Sequence, residues 1–131
     1  PSVMEIVAAE HRDVPQQIGR MSAGMALIKP VYSKIASAPT KLAEYLGCGV
    51  PCLGNSGVGD MEEILEGRHA GVAMSTFGEK PTDLAMRRLL KLTEQSDLQQ
   101  RCRKVAQELF SLDVGVASYA AIYDRLCGTR H

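Results

Sequence analysis

Two short stretches of this sequence, separated by one predicted strand, carry residue types that suit an anionic ligand. Thr40 and Lys41 stand at the start of a predicted helix, where backbone N–H groups lack intrahelical partners and the helix dipole is positive. Lysine adds a point charge of the kind that proteins use at phosphate sites. The turn Gly57-Val58-Gly59 opens a second helix, and such glycine-rich turns let N–H groups approach an anion. Together with the backbone N–H of Leu42, these residues predict a site for a phosphate-bearing ligand.

Each half of this predicted site has a purely structural alternative. Lys41 lies on the polar side of its helix, and the alternative interpretation of this residue is a solvated charge. Asp60 and Glu63 have the spacing of a capping box, in which side chains occupy the N–H groups at a helix start and repel an anion. Asn55, just before the glycine-rich turn, is predicted to face a base or a sugar.

The elements that must position these residues alternate between strands and helices, which is typical of a parallel α/β sheet with right-handed crossovers. Apolar runs predict strands over residues 5–9, 24–29, 50–53 and 70–74. Helical periodicity predicts helices over residues 14–21, 39–46 and 82–93, one after a Ser96-x-x-Gln99 capping box, and one that begins at Ser111. Leu42 and Leu46 should form a buried helix face, and the apolar stripes of the final helices should pack into the core.

The stretch PTKLAEYLGCGVPCL, followed by GVGDMEEILEGRHAGV, resembles the nucleotide-sugar-binding motif of GT-B-fold retaining glycosyltransferases of the family 4 type. That motif places a Pro-Thr-Lys-Leu run before a Glu, then a small-residue helix end, a Gly-Val-Pro strand and a Gly-rich turn. Its later Glu-Gly-x-x-x-Gly element is matched by Glu66-Gly67 and Gly71. The resemblance extends from Val7 to Leu126.

This resemblance implies a Rossmann-like parallel sheet with flanking helices and a helical C-terminal segment, as in part of a GT-B C-terminal domain. Residues 1–131 are then expected to be a single partial nucleotide-sugar-binding domain. Further βα units are expected ahead of this stretch, and the N-terminal acceptor domain is expected to be absent from it.

The resemblance also implies roles for residues around the first helix. Glu44 matches the second Glu of the family's Glu-x7-Glu motif, whose carboxylate accepts hydrogen bonds from the ribose hydroxyls. The position of the first Glu holds Ala36, which has no carboxylate to offer to the donor sugar or its phosphate. Ser37 is the nearest residue with a hydrogen-bonding side chain. The structural alternative for Glu44 is an exposed residue paired with Lys41.

The implied function is the donor-binding part of a hexosyltransferase-type glycosyltransferase, which transfers a sugar from a nucleoside diphosphate sugar to an acceptor with retention. The fragment alone is expected to be inactive, and its sequence assigns no catalytic residue. Its expected partners are the nucleotide-sugar donor and an acceptor glycan, lipid or small molecule held by the N-terminal domain, with no cofactor and no metal. Two alternatives stay open: a non-catalytic α/β interaction module, motivated by Ala36 and Asp60, and a GT-B sugar-nucleotide epimerase.

Bulk composition sets outer limits on function. The 131 residues suit one domain, with 45% hydrophobic and 23% charged residues. The formal net charge of zero provides no field to recruit nucleic acid or an anionic membrane. Without a long apolar run or a signal-peptide pattern, the chain is expected to be cytoplasmic, with membrane association only through a parent protein. The spacing of the four cysteines favours buried reduced thiols over a metal site.

Overall fold

Three parallel strands form an open sheet in the order β1-β2-β3, with helices against its faces. The computed structural model describes residues 3–128, and the fold is mixed α/β as predicted. Along the chain the elements are α1 (Val14–Ile18), β1 (Gly24–Met25), α2 (Thr40–Gly47), β2 (Cys52–Asn55), a π-helix (Glu63–Gly67), β3 (Gly71–Met74), α3 (Glu79–Thr93), α4 (Leu98–Phe110) and α5 (Leu112–Cys127), with 3-10 turns at His11–Asp13 and Tyr32–Lys34.

The central strand β2 is buried along its whole length, as expected for the middle of a parallel sheet. Gly54 of this strand has a packing role. A Cβ at Gly54 would lie 2.2 Å from the sulfur of Met61, so the absence of a side chain lets the segment that leads into the π-helix approach the strand. The predicted strand 70–74 is confirmed within one residue, whereas the strand predicted at 50–53 lies two residues later. The strand predicted at 24–29 is wrong in length, since β1 has only two residues.

Core side chains separate into two clusters because successive residues of a strand face opposite sides of the sheet. Cys52 packs on one side with Leu42 and Leu46 of α2, which are 1% and 0% exposed and confirm the predicted buried helix face. Leu53 packs on the other side with Leu89 of α3. Helices α2 and α4 therefore share one face of the sheet, and α3 covers the other.

Two helix starts differ from their predictions. The prediction of a Ser96-Gln99 capping box is wrong, because α4 begins at Leu98. Its N-cap residue, Asp97, makes no capping hydrogen bond through its side chain. Helix α3 begins at Glu79, three residues before the predicted start at Thr82. Both the N–H and the hydroxyl of Thr82 donate to the carbonyl of Gly78, at 3.0 and 2.6 Å, and close the first turn.

The last helix leaves its apolar stripe outside the core. Ser111 opens α5 as predicted, since its hydroxyl accepts a hydrogen bond from the N–H of Val114. The predicted core packing is wrong for this helix: Val116, Tyr119 and Tyr123 are 58%, 68% and 63% exposed, and no residue of α5 is buried. Helical spacing establishes that residues share a face, but not that another element covers the face.

Residues 5–9, predicted as a strand, are irregular and exposed, so that prediction is also wrong. Val7 from this segment instead lines a cavity against α1 and α2. Across residues 3–128, none of the helices has both the length and the apolar character needed to span a bilayer.

Candidate functional site

The loops that follow β1 and β2 lie against each other at the carboxyl edge of the sheet, the edge at which open α/β sheets bind ligands. The N–H of Gly59 donates to the carbonyl of Lys34 at 3.1 Å. A Cβ at Gly57 would lie 2.9 Å from Cβ of Pro30, and one at Gly59 would lie 2.1 Å from the carbonyl oxygen of Ser37. The structure therefore brings the glycine-rich turn next to Ser37, three residues before α2 begins.

Several backbone N–H groups at this edge find no acceptor within residues 3–128, among them those of Thr40 and Lys41 at the start of α2 and those of Gly57 and Val58 in the turn. Thr40, Lys41 and Gly57 are exposed, whereas Val58 is 1% exposed, so its N–H is not open to a ligand. Both halves of the sequence-predicted site thus offer free donors, and Lys41, which contributes one of them, also carries a positive charge on its side chain. Oriented donors next to a cation are the chemistry that binds phosphate groups.

Two other predicted donors are already engaged. The N–H of Leu42 donates to the carbonyl of Pro39 at 3.1 Å, and its side chain is buried in the core. The N–H of Gly59 is held by Lys34, as described above. Leu42 and Gly59 therefore fix the shape of the edge in this conformation, and they offer no free N–H to a ligand.

Glu44 forms an ion pair with Lys41, with 3.1 Å between Oε2 and Nζ. The two side chains are 37% and 61% exposed, and they lie three residues apart on one face of α2. An exposed pair of this kind contributes only about 0–1 kcal/mol, because water screens the charges and both side chains lose freedom. A charged ligand can therefore compete with either partner.

Asn55 does not face a ligand, and the prediction that it contacts a base or sugar is wrong. The residue is 1% exposed. Its Oδ1 accepts from the N–H of Ile28 at 2.8 Å, and its Nδ2 donates to the carbonyls of Ile28 at 2.8 Å and Ser56 at 2.9 Å. The side-chain amide is therefore hydrogen-bonded to neighbouring backbone groups.

The capping box predicted for Asp60 and Glu63 is not formed. Within the described part of the chain, neither carboxylate makes a hydrogen bond, and the π-helix has no side-chain cap. The turn closes through the backbone instead, with the N–H of Met61 donating to Val58 at 3.2 Å and that of Ile64 to Asp60 at 3.0 Å. Asp60 is an exposed acid beside the glycine-rich turn.

Glu66 has a structural role that sequence reasoning missed. Its carboxylate accepts from the N–H of Ala73 at 2.9 Å and from the guanidinium of Arg88 at 2.6 Å. Since the carbonyl of Met74 faces β2, where it accepts from Ser56, the N–H of Ala73 points to the opposite edge of β3. The carboxylate of Glu66 therefore provides the acceptor for this N–H group at the edge of the sheet.

The electrostatics of Glu66 follow from these contacts. Burial raises the pKa of its carboxyl, but the hydrogen bonds from Arg88 and Ala73 and the Arg88 charge more than offset burial, so the pKa lies below its ordinary value of 4.5. The sequence showed Glu66 only as part of a motif and held no sign of its partners.

Cys52 and Cys102 are buried free thiols, as predicted, whereas Cys48 is half-buried and Cys127 is exposed. Burial raises the pKa of Cys52 to about 12 and that of Cys102 to about 11, so both thiols stay protonated at neutral pH. No cluster of three or more His, Cys, Asp or Glu side chains among residues 3–128 is arranged to hold a metal ion.

A cavity of about 290 Å³ adjoins the site on the α1 side of α2. Val14 and Ile18 of α1 form an apolar wall, and Lys41 and Tyr45 of α2 line the opposite wall. Lys41 therefore contributes both to this cavity and to the start of α2, where the free N–H groups lie.

Comparison with known proteins yields no relative: no family model, curated protein or solved structure matches this chain.

Proposed function

We propose that the chain is the donor-binding part of a GT-B, family 4-like retaining glycosyltransferase. The observation that carries this proposal is that two adjoining loops present exposed N–H groups, those of Thr40, Lys41 and Gly57, for which residues 3–128 offer no acceptor. One of these residues, Lys41, also carries a positive charge. The sequence motif described above gives the independent reason to expect a nucleoside diphosphate sugar as the ligand.

In this proposal the diphosphate lies across the two loops. The N–H groups of Thr40 and Lys41 hold it from one side, and that of Gly57 holds it from the other. Lys41 neutralises part of its charge and so stabilises the diphosphate as it leaves the sugar, a form of electrostatic catalysis. The hydroxyl of Ser37 supplies a further donor.

Glu44 accepts the ribose hydroxyls in the same proposal. This role requires the Lys41–Glu44 pair to separate, so that the cation turns to the phosphates and the carboxylate to the ribose. The exposure of both side chains supports such an exchange, because a screened surface pair costs little to break.

The remaining parts of the proposal concern the parent protein. The acceptor is a glycan, a lipid or a small molecule, held by an N-terminal domain, and the transferase is of the hexosyl type. Neither a cofactor nor a metal is required, the parent is cytoplasmic, and the isolated chain does not turn over.

A non-catalytic interaction module with the same fold is the second candidate. Two observations favour it: the N–H groups of Leu42 and Gly59 are engaged, and Asp60 places beside the turn a carboxylate that has no partner within residues 3–128. Such a module would bind no nucleotide.

Titration of the chain with UDP and with GDP, followed by NMR, separates the two candidates. Because other segments of the parent would complete the phosphate clamp, even millimolar affinity, about −4 kcal/mol, supports donor binding. If neither nucleotide binds to the chain or to its full-length parent, the interaction module is the better description.

A further inference from the structure

Pairing between β1 and β2 continues beyond the end of β1, but through a side chain. The N–H of Ala26 donates to the carbonyl of Leu53 at 2.9 Å. In a parallel ladder, every second residue of a strand donates to the same neighbour, so the next backbone bond would join the N–H of Ile28 to the carbonyl of Asn55. Instead, Oδ1 of Asn55 accepts that N–H at 2.8 Å, and Nδ2 of Asn55 donates to the carbonyl of Ile28 at 2.8 Å.

Because the side chain of Asn55 takes the place of the backbone bond, one backbone donor of the glycine-rich turn has no ladder partner. In a continuing ladder, the carbonyl of Ile28 would accept from the N–H of Gly57. That carbonyl accepts from Nδ2 of Asn55 instead, and the N–H of Gly57 has no acceptor within residues 3–128. The turn nevertheless stays close to the first loop, since a Cβ at Gly57 would lie 2.9 Å from Cβ of Pro30.

We propose that Asn55 is a positioning residue of the donor site, an inference that rests on the function proposed above. Its amide fixes the loop that leads to Thr40 and Lys41 against the loop that holds Gly57 and Val58. The two halves of the phosphate site are thereby held as one unit, and the N–H of Gly57 is left for the ligand. Asn55 is 1% exposed and acts without touching the ligand.

The chemistry of the contact explains why an amide serves here. The backbone of Ile28 presents a donor and an acceptor together, and a buried group that lost its partner would cost about 1–3 kcal/mol. Asparagine carries one acceptor and two donors on a single short side chain. Aspartate has the same shape but only acceptors when ionised, so it would repel the carbonyls of Ile28 and Ser56. Serine is too short to bridge both groups of Ile28.

The test compares the full 131-residue chain with its Asn55→Asp and Asn55→Ser variants by NMR titration with UDP and GDP. Leu89→Val is the control, because Leu89 is buried in the cluster on the other face of the sheet. We expect both Asn55 variants to stay folded, to exchange the Ile28 amide faster and to bind nucleotide at least about tenfold more weakly. Leu89→Val should lose stability but keep its affinity within about twofold.

The possible failures are distinguishable. Folded Asn55 variants that bind as tightly as the wild type would overturn the positioning role and leave the proposed function intact. Unfolding of both variants would also overturn it, because Asn55 would then support the whole fold rather than the site. A wild-type chain that binds neither nucleotide, alone or within its parent, would remove the proposed function and this inference together.

Discussion

The carbonyl oxygen of Ser37 lies where a side chain at Gly59 would begin, 2.1 Å from the position of a Cβ. Gly59 also has a φ of 50°, which L side chains rarely adopt. The two loops of the candidate site therefore meet at a point that only glycine can occupy. Their close approach is a property of the backbone and of one missing side chain.

Replacement of Gly59 by alanine should separate the loops. The methyl group would meet backbone rather than a flexible side chain, so we expect Gly59→Ala to lower the free energy of unfolding by about 2–3 kcal/mol. Urea unfolding followed by circular dichroism measures this loss. Gly47→Ala is the control, because a Cβ at Gly47 has no neighbour within 4 Å. It should leave stability unchanged or raise it, and an equal loss in both variants would contradict the close contact.

The carboxylate of Glu66 should stabilise the fold in a pH-dependent manner. Because its pKa is lower in the folded state, the stabilisation is present above the ordinary value of 4.5 and is lost as pH falls through the folded-state pKa. Glu66→Gln keeps an acceptor for Ala73 but loses the charged partner of Arg88. We expect it to cost about 1 kcal/mol at pH 7, and less as the pH falls below 4.5, in urea unfolding series.

Asp83→Asn provides the matched control for Glu66. Asp83 pairs with Arg87 at 2.9 Å on the exposed face of α3, where water screens the charges. This variant should unfold like the wild type at every pH. A Glu66→Gln penalty that is the same at pH 3 and pH 7 would contradict the assigned ion pair.

The cysteines should differ widely in reactivity. The thiolate is the reactive form, and burial holds the pKa of Cys52 at about 12. At pH 8 we expect iodoacetamide to modify exposed Cys127 at least about a hundredfold faster than Cys52 or Cys102, whose modification requires the fold to open. Peptide mass spectrometry measures the three rates, and unfolding in urea should equalise them. Equal rates in the folded protein would contradict the burial of Cys52.

Hydrophobic periodicity predicted those parts of the fold that depend on the residue pattern of a single segment. Leu42 and Leu46 recur at helical spacing and are buried, and the apolar run before Ser75 is β3. The ion pair between Lys41 and Glu44 also follows from spacing, since residues three apart on a helix are neighbours.

Features that depend on two distant segments were not predictable in this way. The side-chain amide of Asn55 bonds to the backbone of Ile28 at the point where the pairing of β1 has ended. The sequence around Asn55 does not indicate where the neighbouring strand ends. Glu66 meets Arg88 only after the chain has folded around β3. The stripe of α5 has the spacing of a core face, yet it remains exposed although α4 packs against this helix.

Glu44 provides the sharpest test of donor binding, because its two possible roles predict opposite signs. If Glu44 accepts the ribose hydroxyls, Glu44→Ala removes a ligand contact and weakens binding. If it only pairs with Lys41, the same change releases the cation and strengthens the binding of any phosphate. Glu62→Ala is the control, since Glu62 is an exposed acid that precedes the π-helix and whose carboxylate makes no hydrogen bond or ion pair within residues 3–128.

The most direct measurement is therefore an NMR titration of the wild type, Glu44→Ala and Glu62→Ala with UDP and GDP. We predict wild-type binding at millimolar affinity or tighter, a loss of at least about tenfold in Glu44→Ala, and a change within about twofold in Glu62→Ala. Unchanged or tighter binding by Glu44→Ala would contradict the assignment of a nucleotide-sugar donor site.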